Sequence, residues 1–308
     1  MDDYNKIIDS LNIRFVKSKS IKIIQPIVVT NQYNVENFIY LLHDGELSFQ
    51  DGTQKVEKGD MLFVPGGKAA ILHYGASEQA KHINNEEFFS NTERYFEVNS
   101  DVASIGRLPN SFSFVAFESK VFDSINFFAS LDIPPFIISD NPGLSRMIKE
   151  VVVEDLSNFV GKERLIKAKM EQIVIEVIRY ILRNNLFTEQ LATNSTYFKD
   201  PRLIDIFNYI KEYLGGDLSN KVLASVANVS EDYVGQYFKM LTGINPQDYI
   251  EYQRMEAAVH LLRTSKKSIR EIGQEVGYKD TAYFCRRFKM MFGIPAGKMR
   301  RRDSMINI

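Results

Sequence analysis

The chain has 308 residues, of which 44% are hydrophobic, so it is long and apolar enough to form hydrophobic cores in two domains. Its formal net charge of −1 excludes a uniformly basic or acidic protein, but residues from Asp200 onward carry 17 Lys and Arg against 13 Asp and Glu. One cysteine allows no internal disulfide, and no run approaches the roughly 20 apolar residues of a membrane-spanning helix. These features predict a cytoplasmic protein with an acidic first part and a basic second part.

Short apolar runs separated by turn-forming residues dominate the first part of the chain. After a predicted short helix at Asp2–Leu11, they predict strands at Ile21–Thr30, Phe38–His43, Leu47–Phe49, Met61–Val64, Ile71–Tyr74 and Ser111–Phe117. The pairs Asp44-Gly45 and Asp51-Gly52 mark turns between them. Strands of this length and spacing predict a small β-barrel or sandwich.

Two segments of this region, Leu42–Leu47 and Gly59–Gly67, resemble the motifs of the cupin barrel, which serves as a sensor domain in many proteins. The resemblance implies a cupin-like sensor domain at residues 1–140 whose interior binds a small effector, although the same side chains could simply form its core. The candidate effector-binding residues are Phe38, Tyr40, Phe49, Phe63, His73 and Tyr74.

Cupin enzymes hold a metal with clustered histidines and a carboxylate. This chain has only four histidines, and Ala70 occupies the position where the second cupin motif would place a ligand histidine. Too few imidazoles are present at the required spacing for a metal site. We therefore expect no metal, no cofactor, no catalytic residue and no enzymatic activity.

The middle of the chain has helical periodicity. Helices are predicted at Leu144–Phe159 and Glu163–Asn184, and the second has an apolar stripe at i, i+4 and i+7 spacing. By the same resemblance to cupin-type sensor proteins, in which the helices after the barrel often form a dimer interface, residues 141–184 are expected to form a helical dimerisation region, with the homodimer interface in Glu163–Asn184. Residues 185–199 are polar and lack periodicity, which predicts an interdomain linker.

The last part of the chain contains a duplication. The segment Phe238–Ile244 returns as Phe288–Ile294, 50 residues later. Each copy has the pattern of a helix, a tight turn and a second helix. The predicted caps and turns of the first copy are Ser219 or Asn220, Asn228, Ser230 and Gly243, and those of the second are Ser268, Gly277 and Gly293.

Apolar periodicity predicts which face of each helix is buried. In the first copy the predicted core residues are Val222, Leu223, Val226, Val234, Phe238 and Leu241. In the second they are Ile269, Ile272, Val276, Phe284, Phe288 and Met291, with Gly273 permitting a close helix crossing.

The opposite face of each second helix carries side chains suited to the major groove of DNA. Arginine pairs with guanine, glutamine pairs with adenine, and small or methyl-bearing side chains contact thymine methyls. The candidate DNA-binding residues are Asp232, Gly235, Gln236 and Lys239 in the first copy, and Thr281, Ala282, Cys285, Arg286 and Lys289 in the second. The first copy offers the weaker set, and any of these side chains could instead be a solvated surface residue.

The order and spacing of residues over about 100 positions resemble the DNA-binding domain of AraC-type transcriptional regulators. The segments that carry the resemblance include Asp200–Leu203, Leu223–Ala224, Val276–Tyr278, Tyr283–Phe284 and Arg287–Lys289. The resemblance implies a domain at residues 200–308 in which a long helix, Pro246–Leu262, joins two helix-turn-helix units. It also implies activation of transcription through contact with RNA polymerase.

The sequence therefore predicts an α+β chain, with a cupin-like β-barrel, following helices and an all-α double helix-turn-helix domain. Its predicted function is sequence-specific, effector-modulated regulation through double-stranded DNA. Two alternatives stay open. One is a cupin enzyme fused to a DNA-binding tail, which stoichiometric metal in the purified protein would indicate; the other is an effectorless regulator controlled by protein partners, which a solid barrel interior would indicate.

Overall fold

The structure is a computed structural model that describes residues 5, 8, 11–76, 80–121, 125–188, 191, 201–242 and 245–300. Strands β1 to β12 are Leu11–Ile23, Ile27–Tyr33, Asn37–Asp44, Leu47–Phe49, Gln54–Val56, Met61–Val64, Ala69–Tyr74, Lys81–Ile83, Phe96–Asn99, Ser111–Val121, Ile125–Asn126 and Phe136–Ile138. Helices α1 to α11 are Asn85–Ser90, Thr92–Tyr95, Phe127–Ser130, Pro142–Leu156, Lys162–Arg183, Pro201–Glu212, Asn220–Ala227, Glu231–Thr242, Pro246–Thr264, Ile269–Glu275 and Thr281–Phe292. A short 3₁₀ helix spans Val102–Ser104.

The chain divides into two compact units. One contains the described residues of 11–120 and 132–188, and the other includes α3 and the C-terminal helices α6–α11. The first unit is therefore built from strands β1–β10 and β12 together with helices α1, α2, α4 and α5. No helix among the described residues is long and apolar enough to cross a membrane.

Two β-sheets enclose the core of the first unit. One has the strand order β12-β6-β3-β10-β1-β9, and the other has the order β5-β4-β7-β2-β8. The pairs β1–β9, β3–β10, β3–β6, β6–β12, β2–β7, β4–β7 and β4–β5 are antiparallel, and β2 and β8 are parallel. Side chains from both sheets, including Phe38, Leu62, Phe49 and Leu72, pack in one buried cluster. This arrangement confirms a β-rich first domain followed by helices, as predicted from the sequence.

Helices α4 and α5 cover the outer surface of the first sheet in this unit. The apolar stripe of α5 that was expected from the sequence is buried, including Ile166, Met170, Ile173 and Val177. Helix α5 packs against α4 and β1. The stripe is therefore part of the core of its own unit.

The predicted strands differ from the observed ones mainly where strands are exposed or short. The segment predicted as one strand, Ile21–Thr30, is divided by a bend at residues 24–26 between β1 and β2. The first part of β1 was not predicted as a strand, because many of its residues are polar and it has no continuous apolar run. The predicted helix at Asp2–Leu11 and most of the predicted linker at 185–199 lie outside the described residues, although β1 begins at Leu11.

The helices of the second unit follow the prediction closely. Helix α9 runs from Pro246 to Thr264, as expected for the joining helix, with proline at its N-terminal end. Helices α7 and α8 form the first helix-turn-helix unit, and α10 and α11 form the second. We refer to these pairs as the first and second reading units.

Candidate nucleic-acid interface

The first reading unit has a tight turn between its two helices. Asn228 follows α7 with φ of 53°, in the left-handed region that asparagine tolerates, and its N–H donates to the carbonyl groups of Ala224 and Ser225. Helix α8 buries Val234, Tyr237 and Phe238. The predicted turn and the direction of the buried face are confirmed here, while Gly243 lies outside the described residues.

The second reading unit has stronger caps. Ser268 and Glu271 form a capping box at the start of α10, and Gly277 in the turn has φ of 94°. The Asp280 carboxylate accepts hydrogen bonds from the N–H groups of Ala282 and Tyr283, at 2.7 and 3.0 Å. These bonds hold the pKa of Asp280 below its usual range. They also fix where the exposed face of α11 begins.

One predicted core residue in α11 is wrong. Phe284 and Phe288 are fully buried as expected, but the next buried residue is Phe292, and Met291 is only half-buried. Met291 and Phe292 follow Phe288 by three and four residues, and either spacing keeps a side chain on the same helix face. The aromatic ring of Phe292 occupies the core position here. Gly273 lies against Phe284, since a Cβ at this glycine would be 3.2 Å from the ring.

The nine predicted DNA-binding residues lie on matching exposed faces of α8 and α11. Six are exposed, namely Asp232, Gln236, Lys239, Ala282, Arg286 and Lys289. Three are half-buried, namely Gly235, Thr281 and Cys285. The two helices thus present side chains at equivalent positions 50 residues apart, and all nine remain predictions as DNA contacts.

The two faces differ in charge. In α8 the exposed face starts with Glu231 and Asp232, and Lys239 is its one basic residue. In α11 Arg286 and Lys289 are exposed, and the carboxylate of the preceding Asp280 bonds to the backbone. A phosphate backbone would be attracted more strongly to the second face.

Two pairs of exposed side chains beside these faces were not predicted from the sequence. Tyr233 and Tyr283 are 43% and 47% exposed, and Met240 and Met290 are 61% and 70% exposed. Each pair is separated by the same 50-residue offset as the rest of the duplication. The repetition of the same residue at both positions could have revealed these pairs in the sequence. A large side chain that is exposed at two equivalent positions indicates a role at the surface.

The interior of the β-barrel holds four of the six predicted effector-binding residues. Phe38, Tyr40, Phe49 and Tyr74 belong to the buried cluster between the two sheets. Tyr74 stacks on Phe88 with ring centroids 6.2 Å apart, and its edge meets Phe96 at 5.1 Å. The interior is therefore rich in aromatic rings.

A small polar group lies among these rings. The Tyr74 hydroxyl donates to Gln32 Oε1 at 2.9 Å, and Gln32 Nε2 donates to the Tyr40 hydroxyl at 3.3 Å. Burial raises the pKa of Tyr74 well above its usual value, so the hydroxyl stays protonated. Gln32 was not predicted from the sequence, because a glutamine in a strand usually faces water.

Phe63 and His73 lie on the opposite surfaces of their sheets, which corrects their expected place in the barrel interior. Phe63 pairs with Ile39 across the strands and therefore faces away from Phe38 and Tyr40; its ring contacts Phe136 instead. His73 alternates with Leu72 and Tyr74, and its Nε2 lies 3.2 Å from the Gln50 carbonyl oxygen. Successive strand residues point to opposite faces, so both side chains are one position out of register with the interior.

The histidines of the barrel are separated. His43 Nε2 lies 2.7 Å from Ser113 Oγ, and burial, assisted by the positive charge of Lys149, lowers the His43 pKa to about 4. Among the described residues, no group of three or more His, Cys, Asp or Glu side chains could hold a metal ion.

Comparison with known proteins gives one family match. Residues 223–302 match the family model described as "Helix-turn-helix domain". An uncharacterized HTH-type transcriptional regulator from Haemophilus influenzae is 22% identical over 275 residues, which cover 88% of each chain. The HTH-type transcriptional activator RhaS from an Enterobacter species is 27% identical over 127 residues, covering 41% of this chain and 44% of RhaS.

A similar fold over nearly the whole chain is found in ToxT from Vibrio cholerae. The two chains share 11% identity with a TM-score of 0.53, and the match covers 96% of this chain and 98% of ToxT. A second ToxT structure, described as bound to an unsaturated fatty acid, has 11% identity and a TM-score of 0.51, and covers 94% of this chain and 95% of ToxT. At this identity the likeness concerns the fold.

Proposed function

We propose that this chain is a transcriptional regulator of the AraC type and that it binds specific DNA sequences through α8 and α11, which lie in the region that matches the helix-turn-helix family model. The observation that carries the proposal is the pair of equivalent exposed faces on these helices. Arg286 is suited to bidentate contact with guanine, and Gln236 to adenine. Lys239 and Lys289 are suited to phosphate contact, which sets register and overall affinity.

Selection of bound sequences from random DNA tests this proposal. Full-length protein at a stated salt concentration should recover a motif with two base clusters about one helical turn apart. Affinity for that motif should exceed affinity for random DNA and should fall steeply with salt. Equal affinity for the motif and for random DNA would contradict sequence-specific binding.

Activation of transcription is the direction we favour for this regulator. RhaS, which is similar to this chain over part of its length, is described as a transcriptional activator. In the cytoplasm such a protein would act by contact with RNA polymerase. Transcription in vitro with purified polymerase and the selected site should increase when the protein is added, whereas a decrease would assign repression.

We also propose that the barrel interior binds a small effector. The buried group of Gln32, Tyr40 and Tyr74 places hydrogen-bonding atoms among the aromatic rings between the two sheets, which suits a mostly apolar molecule with one polar group. A ToxT structure, similar in fold, is described as fatty-acid bound. An unsaturated fatty acid is therefore a reasonable first probe.

A pair of variants tests the effector site. Tyr74→Phe removes the hydroxyl that donates to Gln32, and we expect it to weaken effector binding by roughly 1 kcal/mol, measured by calorimetry and by the effector's influence on DNA affinity. His73→Gln is the control, because His73 lies on the other surface of its sheet. No influence of any tested small molecule on DNA affinity would favour a regulator controlled by protein partners.

A homodimer through α5 completes the proposal. Its apolar stripe is buried within its own unit, so contact would use the exposed face, which includes Leu165, Ala168 and Gln172. Light scattering at micromolar concentration should give twice the chain mass, and Leu165→Glu should halve it. Val160→Glu, an equivalent change at a fully exposed residue outside the helix, should leave the mass unchanged.

A further inference from the structure

One arginine in the joining helix contacts the loop before the first reading unit and the turn of the second reading unit. Arg254 lies in α9, and its guanidinium donates to the Leu214 carbonyl at 3.0 Å and to the Gly216 carbonyl at 2.9 Å. These carbonyls belong to the loop between α6 and α7, immediately before the first reading unit. The same guanidinium lies 6.0 Å from the ring centroid of Tyr278, in the turn region of the second reading unit.

Two glycines allow this close approach. A Cβ at Gly277 would be 2.7 to 2.8 Å from the guanidinium atoms of Arg254. A Cβ at Gly215 would be 2.4 Å from the carbonyl oxygen of Glu275, at the end of α10. The loop before the first unit therefore touches the backbone of the second unit directly, and the arginine lies beside that contact.

The second unit is also attached to α9 through its own recognition helix. Arg287 in α11 forms a two-point ion pair with Glu251 of α9, with Arg287 Nε 2.5 Å from Glu251 Oε1. Glu251 is one turn before Arg254 on α9. The joining helix thus holds α11 by one arginine–carboxylate pair and the loop before α7 by another arginine.

From this geometry we infer that Arg254 is a positioning residue that fixes the spacing between the two reading units and thereby selects the number of base pairs between the two base clusters of the DNA site. The inference rests on the proposed DNA-reading function. A planar guanidinium can bond two carbonyls and lie against a ring at once, whereas a lysine ammonium cannot reproduce that geometry. If α8 and α11 are held rigidly to each other, both can enter the major groove only when the two base clusters are separated by one particular number of base pairs.

The test measures affinity of the full-length protein for sites with zero, one or two base pairs added to or removed from the spacer. The unsubstituted protein should show a penalty of about tenfold or more per base pair of change. In the variants Arg254→Lys and Gly215→Ala, the loss of affinity per base pair should fall below about threefold, or the spacer length that gives the highest affinity should change. Controls are Arg270→Lys, an exposed arginine of α10, and Gly297→Ala, where a Cβ meets nothing within 4 Å.

The outcomes separate the inference from the function on which it rests. Absence of any two-cluster motif for the unsubstituted protein would reject the proposed function itself. Folded variants, judged by circular dichroism and unfolding midpoint, that lose affinity equally for every spacer would overturn the role of Arg254. If Arg254→Lys unfolds, Gly215→Ala decides the matter, since it pushes the loop that Arg254 bonds away from Glu275 of the second unit and leaves the arginine in place.

Discussion

The two reading units bury equivalent helix positions but expose faces of different charge. Val234 and Phe238 in α8 are equivalent to Phe284 and Phe288 in α11, and all four are fully buried. On the exposed faces, α8 starts with two carboxylates, while α11 exposes Arg286 and Lys289. The duplication therefore preserved the positions that pack, whereas the exposed Asp232 and Gln236 of α8 differ from the equivalent Ala282 and Arg286 of α11.

The largest difference between the units is expected in base recognition. Arg286→Ala should lower affinity for the selected site by about 1–3 kcal/mol, because a bidentate contact to guanine is lost, while affinity for random DNA changes little. Gln236→Ala, the equivalent change in α8, should cost less. Titration of both variants on both DNAs measures this, and equal losses on specific and random DNA would assign Arg286 to phosphate contact.

A smaller difference is expected in helix capping. Ser268 accepts a hydrogen bond from the Glu271 N–H at 3.2 Å, whereas Ser219 makes no side-chain capping bond at the start of α7. Ser268→Ala should therefore reduce the free energy of unfolding by about 1 kcal/mol. Ser219→Ala should have little effect, and urea denaturation of the two variants provides the matched measurement. Equal destabilisation would mean that the capping box adds nothing to stability.

The smallest effect is expected from the acidic start of α8. Asp232→Asn removes one negative charge from a face proposed to lie near phosphates, so affinity for random DNA should rise by less than about 1 kcal/mol, and the gain should shrink at high salt. Glu57→Gln, an equivalent neutralisation at an exposed residue of the other unit, serves as the control. A loss of specific affinity for one base would instead show that Asp232 accepts a hydrogen bond from cytosine.

Sequence periodicity predicted the helices of the second unit better than the strands of the first. Caps such as Ser268 and turns such as Asn228 and Gly277 are local signals, because they depend on a few neighbouring residues. The strand β9, by contrast, has only four residues and pairs with β1 from more than 70 positions earlier. No local pattern marks such a partner.

The candidate sites divide in the same way. The exposed faces of α8 and α11 followed from helical spacing, since one turn fixes which side chains share a face. The predicted place of Phe63 and His73 in the barrel interior is wrong. Both faces of their strands are buried at these positions, so the character of a side chain does not indicate which face it occupies. Gln32 became visible only through its partners Tyr40 and Tyr74.

The amino-acid sequence by itself determined the duplicated helix-turn-helix pattern, its turns and the side chains that α8 and α11 expose, because each depends on contacts within a few turns of helix. The tertiary structure alone decided which aromatic residues share the barrel interior, since that depends on strand register. It also decided that Arg254 meets Leu214, Gly216 and Tyr278. Those contacts join segments that are far apart in the chain, and only packing brings them together.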